Sequence, residues 1–166
     1  MTPLLVATTN TNKLREIRDL LAGAPVELIA LDSLPPIEEP EETGLTFEAN
    51  ARLKALYYAD RAKALPHSAA ALTVAEDSGL VIDALGGEPG VRSARFLRPD
   101  ATYPEPFAEI FRRLEEHPDR PRTARFVCAV AVVRDGRVAY ETRGTVEGEV
   151  APEPRGSNGF GYDPIF

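Results

Sequence analysis

The sequence predicts an α/β domain built on a mixed β-sheet. Short apolar runs of strand length alternate with amphipathic helical patterns along most of the 166 residues, as expected of βα units. Two long strand-like segments then follow, joined by the dipeptide Asp135-Gly136, which is typical of a tight antiparallel hairpin. Alternating elements followed by an antiparallel pair indicate a sheet whose strands run in both directions.

The first half of the chain supplies two strands and two helices. The first helix should bury one face, formed by Leu14, Ile17, Leu20 and Leu21. Gly23 ends that helix, and Thr46 is the expected N-cap of the longest helix. The predicted elements are strands Pro3–Ala7 and Val26–Ala30, helices Lys13–Leu21 and Thr46–Leu65, and a proline-rich acidic loop Ser33–Gly44.

The second half of the chain supplies the rest of the sheet. Leu72–Ala75 and Leu80–Ile82 flank an acidic pair, either as two strands or as one bent strand. Pro106–Glu116 has its apolar residues at helical spacing. Thr123–Arg134 is apolar at nearly every position, which indicates a central strand covered on both faces, and Arg137–Val150 is its hairpin partner.

Composition narrows the class of protein. The length suits one domain with a sizeable core, and a formal net charge of −7 argues against a general nucleic-acid binder. The lone Cys128 permits no disulfide within the chain, which favours a reducing cytoplasm. Neither a secretion signal nor an apolar run long enough to span a membrane is recognisable, so we expect no membrane partner.

A polar loop between the first strand and the first helix is a candidate phosphate cradle. It consists of Thr8, Thr9, Asn10, Thr11, Asn12 and Lys13. Helix N-terminal N–H groups, hydroxyls, an amide and one ammonium all suit phosphate oxygens. A lysine at a helix start opposes the helix dipole, so a bound anion would explain it. The alternative is a plain βα turn with a capping Asn or Thr.

Glu76 and Asp77 are a candidate metal-binding pair. Adjacent acids at the edge of a buried apolar element need a compensating cation or a shared proton. Mg²⁺ takes hard oxygen ligands and usually binds through one or two carboxylates together with substrate phosphates. The alternative is a helix cap or a solvated turn, with Ser78-Gly79 as turn residues.

Lys54 lies on the inward stripe of the longest helix. It follows Phe47 by seven residues and precedes Tyr58 by four, so it shares their face. Such a lysine either points into a polar pocket or extends to the surface.

Phe160-Gly161-Tyr162-Asp163 is a candidate base-binding segment. It offers aromatic faces for a nucleobase and a carboxylate for ring N–H groups. The alternative is an ordinary strand with Phe160 and Tyr162 in the core.

Taken together, these motifs resemble the inosine triphosphate pyrophosphatase family, which hydrolyses noncanonical purine nucleoside triphosphates. They occur in family order over nearly the whole chain, and the set is far more specific than any single motif. The matching stretches are 5–16, 41–47, 50–55, 76–80, 85–87 with 89–90, 93–95 and 159–166.

The resemblance implies a single pyrophosphatase domain over residues 1–166, an elongated mixed sheet with two lobes around a central cleft, Mg²⁺ dependence and a homodimer. Products would be the monophosphate and pyrophosphate, from ITP, dITP or XTP. By the resemblance, Asp77 is the catalytic base and a metal ligand, and Glu41 is the other metal ligand. The remaining matches are Thr8–Lys13 to the triphosphate loop, Ser78 to a substrate contact, Lys54 to a phosphate-side lysine, and Phe160, Gly161, Tyr162 and Asp163 to the base-binding segment.

Two departures from the family pattern accompany these matches. Ala49 stands where the family usually has Glu, so Thr46 lacks the partner of a capping box. Family members also continue into a segment with a lysine and a Ser-His-Arg triplet that completes base recognition, and we expect this C-terminal part to be missing here. A Maf-like nucleotide pyrophosphatase and a non-catalytic nucleotide-binding protein stay open as alternatives.

Overall fold

The structure, a computed structural model, describes residues 1–63, 72–98 and 100–166. The predicted end of the longest helix at Leu65 lies outside these residues. Contacts divide the chain into two compact units. The first comprises Met1–Asp77 and Ala129–Arg143, and the second comprises Ser78–Cys128 and Gly144–Phe166.

Five strands form one sheet. They are β1 (Thr2–Val6), β2 (Val26–Ala30), β3 (Leu72–Ile82), β4 (Thr123–Arg134) and β5 (Arg137–Glu149), in the order β2-β1-β3-β4-β5. β1 runs parallel to both β2 and β3. β4 and β5 are joined by Asp135 and Gly136, whose φ angles of 52° and 75° are those of a type I′ hairpin turn. The predicted α/β fold with a mixed sheet is therefore confirmed.

The first unit contains helix α1 (Thr11–Leu20), which packs on the parallel strands. Leu14 and Ile17 contact a small core around Val6 and Ala30. Leu20, predicted to share their face, is 82% exposed. At 100° per residue Leu20 points about 120° away from Leu14, whereas Leu21 returns to nearly the same direction.

Helix α2 (Phe47–Lys63) also belongs to the first unit. The hydroxyl of Thr46 accepts a hydrogen bond of 3.1 Å from the N–H of Ala49, so the predicted N-cap is confirmed without a capping box. Small residues dominate the buried face of α2 and allow a close approach to its neighbours. That face consists of Phe47, Asn50, Ala51, Ala55, Tyr58, Ala59 and Ala62.

The second unit has a hydrophobic core of its own. Helix α3 (Glu105–Glu115) buries Phe107, Ile110 and Leu114 as its spacing predicted. These residues pack with Leu80 and Ile82 of β3, which proves to be one continuous strand rather than two. From Val127 to Val133, β4 is buried at alternate positions and half-buried between them, so the prediction of complete cover on both faces was too strong.

Among the residues described, every helix is too short or too polar to cross a lipid bilayer.

Candidate functional site

Asp77 is the buried centre of the candidate site, in the first unit. It lies on β3, is 5% exposed, and both of its carboxylate oxygens have partners. Oδ2 accepts a hydrogen bond of 3.0 Å from the Asn50 side-chain amide, and Oδ1 lies 3.5 Å from the Lys54 ammonium. A buried carboxylate held on both sides in this way has a defined orientation.

Helix α2 supplies both partners of Asp77. Asn50 and Lys54 are four residues apart, so they lie one above the other on the same face of the helix. The Lys54 side chain is only 15% exposed and its ammonium is paired with acids. Of the two alternatives for Lys54, the polar pocket is therefore the one observed.

Glu42, rather than Glu41, is the loop acid that pairs with Lys54. Its Oε1 lies 2.8 Å from the Lys54 ammonium, whereas Glu41 is exposed. Two residues further along, the N–H of Gly44 donates a 2.8 Å hydrogen bond to the Asn50 Oδ1. The segment from Glu42 to Gly44 is thus fastened to α2 beside Asp77.

Negative charge exceeds positive charge around Asp77. Burial raises the pKa of Asp77, and although Lys54 and Asn50 lower it, Glu42 and Glu76 add to the rise. Burial lowers the pKa of Lys54, yet the fields of Asp77, Glu42 and Glu76 outweigh it and leave that pKa above its usual value. The surplus of acids contributes to both shifts, and an additional cation would relieve it.

Glu76 contacts the other candidate lysine. Its Oε1 lies 2.6 Å from the ammonium of Lys13, and both side chains are largely buried. The two neighbouring acids on β3 therefore pair with different lysines, Glu76 with Lys13 and Asp77 with Lys54.

The polar loop before α1 is organised by Asn10. Its Oδ1 accepts hydrogen bonds from the N–H groups of Asn12 (3.0 Å) and Lys13 (3.2 Å), so Asn10 is the N-cap and the helix begins at Thr11. The prediction began the helix two residues late, at Lys13. The hydroxyl of Thr8 accepts from the Asn10 N–H, and Thr9 and Thr11 are exposed.

The remaining predicted site residues lie in the second unit. Ser78 is half-buried in β3. Tyr162 is 4% exposed, packs edge-on against Tyr103, and donates a 2.8 Å hydrogen bond to the carbonyl of Ser93. Burial raises the pKa of its hydroxyl above its usual range. The Tyr162 ring therefore belongs to the core, whereas Phe160, the other aromatic residue of this segment, is half-buried.

Asp163 shapes the turn that carries Gly161. Its Oδ2 accepts a 2.8 Å hydrogen bond from the N–H of Phe160, and the N–H of Asp163 donates back to the Phe160 carbonyl. Gly161 has a φ of 64°, a left-handed conformation that favours glycine. Asp163 is an exposed residue, but its carboxylate already accepts the hydrogen bond from the Phe160 N–H.

The acids of this site suit a metal ion whose remaining ligands are oxygens of a bound phosphate compound. The described part of the chain contains no group of three or more His, Cys, Asp or Glu side chains arranged to hold an ion. The carboxylates of Asp77 and Glu42 nevertheless both form ion pairs with the ammonium of Lys54. One or two carboxylates with phosphate oxygens completing the shell is the usual Mg²⁺ arrangement.

Sequence reasoning missed the roles of Glu42 and Asn50. The spacing of Asn50, one turn before an inward lysine, was a usable signal for a polar partner. Nothing in the sequence distinguished Glu42 from the other acids of its loop, because an irregular segment has no periodicity to indicate which side chain points inward.

Comparisons with known proteins identify the family of this chain. A family model described as the Ham1 family matches residues 4–166. The dITP/XTP pyrophosphatase of Geobacter sulfurreducens is 44% identical over 166 residues, covering 100% of this chain and 80% of the relative. That of Symbiobacterium thermophilum is 46% identical over 167 residues, covering 98% and 77%. The resemblance drawn from the motifs is thus confirmed.

Solved structures give the same result for the fold. A HAM1 protein from Coxiella burnetii superposes with a TM-score of 0.82 at 38% identity, covering 100% of this chain and 81% of that one. A nucleoside-triphosphatase, or dITP/XTP pyrophosphatase, from Mycobacterium abscessus gives a TM-score of 0.75 at 40% identity, with 99% and 83% covered.

Proposed function

The chain belongs to the Ham1 family, and on this premise we propose that it is a nucleoside triphosphate pyrophosphatase acting on noncanonical purine nucleotides. It hydrolyses ITP, dITP and XTP to the monophosphate and pyrophosphate, which removes them from the nucleotide pool. Its homodimeric state and its cytoplasmic location remain predictions, the first from the resemblance and the second from the lone Cys128.

The buried Asp77 carboxylate between Asn50 and Lys54 is the observation that carries this proposal. Asp77 acts as the general base and accepts a proton from the attacking water. Its burial raises its pKa, and a carboxylate of raised pKa is a better proton acceptor near neutral pH. Oriented by two partners, Asp77 can hold a water molecule in one direction relative to the phosphate.

Asp77 also binds Mg²⁺, together with an acid of the loop before α2. When bound, the ion supplies neutralisation of the phosphate charge. The resemblance points to Glu41 as the second ligand, whereas the ion pair with Lys54 favours its neighbour Glu42. The excess of acids around Asp77 supports a cation at this place.

Two lysines and the polar loop bind the triphosphate. Lys54 places a positive charge beside Asp77 and stabilises the negative charge that develops on the departing pyrophosphate. Lys13 exchanges Glu76 for a phosphate oxygen as the nucleotide enters. The hydroxyl and amide groups of Thr8, Thr9, Asn10, Thr11 and Asn12 provide further donors.

By the family resemblance, Ser78 and the segment 160–163 select the base. The half-buried ring of Phe160 stacks on the purine, and Ser78, Gly161 and Asp163 add polar contacts. A pocket that pairs with a 6-oxo group rejects adenine, because the 6-amino group would leave buried donors without partners. Because the Tyr162 ring is buried in the core, it stabilises this segment rather than contacting the base.

Pyrophosphate release from a panel of nucleotides tests the function. We expect turnover of ITP, dITP and XTP with Mg²⁺, little turnover of ATP, and loss of activity with excess chelator. Turnover of dUTP or TTP in place of ITP would favour the Maf-like alternative. Binding of ITP without release of pyrophosphate would favour the non-catalytic nucleotide-binding alternative.

A further inference from the structure

We propose that Asn50 is a positioning residue, which fixes the orientation of the Asp77 carboxylate and couples it to the loop segment Glu42–Gly44. This inference rests on the proposed function for its catalytic consequence. The hydrogen bonds that define it do not depend on any activity, and they can be measured on the protein alone.

The orientation of the Asn50 amide is dictated by its two partners. The side chain is fully buried at 0% exposure, and both of its ends are used. The N–H of Gly44 can only donate, so it requires the amide oxygen, at 2.8 Å. The amide nitrogen then faces Asp77 and donates to Oδ2 at 3.0 Å.

This donation removes a freedom that a carboxylate otherwise has. The last torsion of an aspartate side chain is broad and roughly two-fold, so an unpartnered carboxylate turns easily. With Oδ2 held by Asn50, Oδ1 is the oxygen that stays towards Lys54, 3.5 Å away. Asn50 thus fixes the plane of the Asp77 carboxylate, so that the oxygen not bonded to Asn50 faces Lys54.

Gly44 is the loop residue that holds the Asn50 amide in this orientation. A Cβ atom at Gly44 would lie 2.4 Å from the Asn50 Oδ1 and 2.9 Å from the Asn50 backbone nitrogen, so only glycine permits this approach. Glu42, two residues earlier, pairs with Lys54. A shift of the loop therefore displaces both partners of Asp77, because Gly44 contacts Asn50 and Glu42 contacts Lys54.

Two substitutions test the inference by different means. Asn50→Asp keeps an acceptor for Gly44 but replaces the amide donor to Asp77 by a second carboxyl group. Gly44→Ala carries no charge change and pushes on the amide by contact alone. Gly144→Ala is the matched control, because a Cβ at Gly144 has nothing within 4 Å.

We expect kcat for ITP to fall roughly tenfold to 100-fold in Asn50→Asp and Gly44→Ala, with KM changed less than about threefold, because misplacement of a reacting group slows the chemical step. Gly144→Ala should match the wild type. A variant that is folded by circular dichroism yet keeps its kcat overturns the inference, whereas a merely structural role would lower only the amount of folded enzyme.

The side-chain amide of Asn50 gives a readout without substrate. In ¹⁵N–¹H spectra its two protons should exchange with water far more slowly than those of the exposed Asn158, and should shift in Asp77→Asn. Fast exchange, or no response to Asp77→Asn, overturns the inference even if the enzyme is active. An inactive wild type with a protected, responsive Asn50 amide would instead overturn the proposed function and leave the positioning contact standing.

Discussion

Glu42 and Lys54 form an ion pair of 2.8 Å, and the same ammonium lies 3.5 Å from Asp77. One lysine therefore holds two carboxylates that reach it from separate parts of the chain. The adjacent Glu41, which the family resemblance pointed to, is exposed. This difference between neighbouring acids can be tested directly.

Glu42→Gln should lower kcat/KM for ITP roughly tenfold to 100-fold, because it removes charge from the proposed Mg²⁺ site and releases Lys54. Glu41→Gln is the matched control, with an expected change of less than about threefold, since its side chain lies at the surface. Titration of activity with Mg²⁺ completes the measurement, and Glu42→Gln should need more of the ion. The reverse order of the two losses would assign the metal to Glu41.

Asp77→Asn should abolish turnover yet leave the folded state at least as stable at neutral pH. Removing a general base costs roughly 100-fold to 10,000-fold in rate. Burial raises the pKa of Asp77 above its ordinary 3.8, so the folded state binds the proton more tightly than the unfolded state. Stability therefore falls as pH rises through the window between the two pKa values, and the cost is fully present above the higher one.

Urea denaturation of metal-free protein checks the sign of this effect. The free energy of unfolding of Asp77→Asn should exceed that of the wild type at pH 7. This difference should vanish below the ordinary aspartate pKa of 3.8, where Asp77 is protonated in both the folded and the unfolded wild type. Lys54 keeps Glu42 as a partner in this variant, so no buried charge is stranded. A variant that is clearly less stable than the wild type at pH 7 would contradict the argument.

Lys13→Met should raise KM for ITP more than it lowers kcat. The Lys13 ammonium is paired with Glu76 at 2.6 Å, so its proposed role is to bind an entering phosphate rather than to act on the water. We expect KM to rise roughly tenfold, the order of one charge-assisted contact. Arg18→Met is the control, because it removes a positive charge from an exposed position in the last turn of α1, and KM should be unchanged. A fall in kcat alone would place Lys13 in the chemical step instead.

The regular elements could be predicted because their patterns are local. Val26–Ala30 and Thr123–Arg134 have the predicted bounds, and Lys54 points inward as its helical spacing required. The start of α1 was missed by two residues, since the capping role of Asn10 depends on a side-chain rotamer that periodicity does not reveal. Leu20 was misplaced because a count of apolar residues ignored its direction around the helix.

The candidate site was harder to predict because its contacts are distant in sequence. Asn50 reaches Asp77 across 27 residues, and Glu42 reaches Lys54 from an irregular loop. Motif resemblance pointed to Asp77, Lys54 and Glu41, whereas the loop acid that contacts Lys54 in the structure is Glu42. That choice depends on how the loop is fastened at Gly44, which is a tertiary contact.

Tyr162→Phe should reduce stability and leave catalysis nearly intact. The Tyr162 hydroxyl donates to the Ser93 carbonyl at 2.8 Å, and the hydroxyl of Ser93 accepts from the N–H of Leu80 in β3. Removing the donor leaves a buried carbonyl without its partner, at a cost of about 1 to 3 kcal/mol. Tyr140→Phe, at a site 59% exposed, is the control and should change stability by less than about 0.5 kcal/mol.

Comparing Tyr162→Phe with Phe160→Ala then separates the two uses of this aromatic segment. Tyr162 is packed among Tyr103 and Phe107, so its ring is not free to stack on a base. Phe160 is half-buried, and its loss should raise KM for ITP roughly fivefold or more, as expected when one stacking contact is removed. If Tyr162→Phe raised KM while unfolding in urea like the wild type, the tyrosine would contact the nucleotide, and its place in the core would have to be given up.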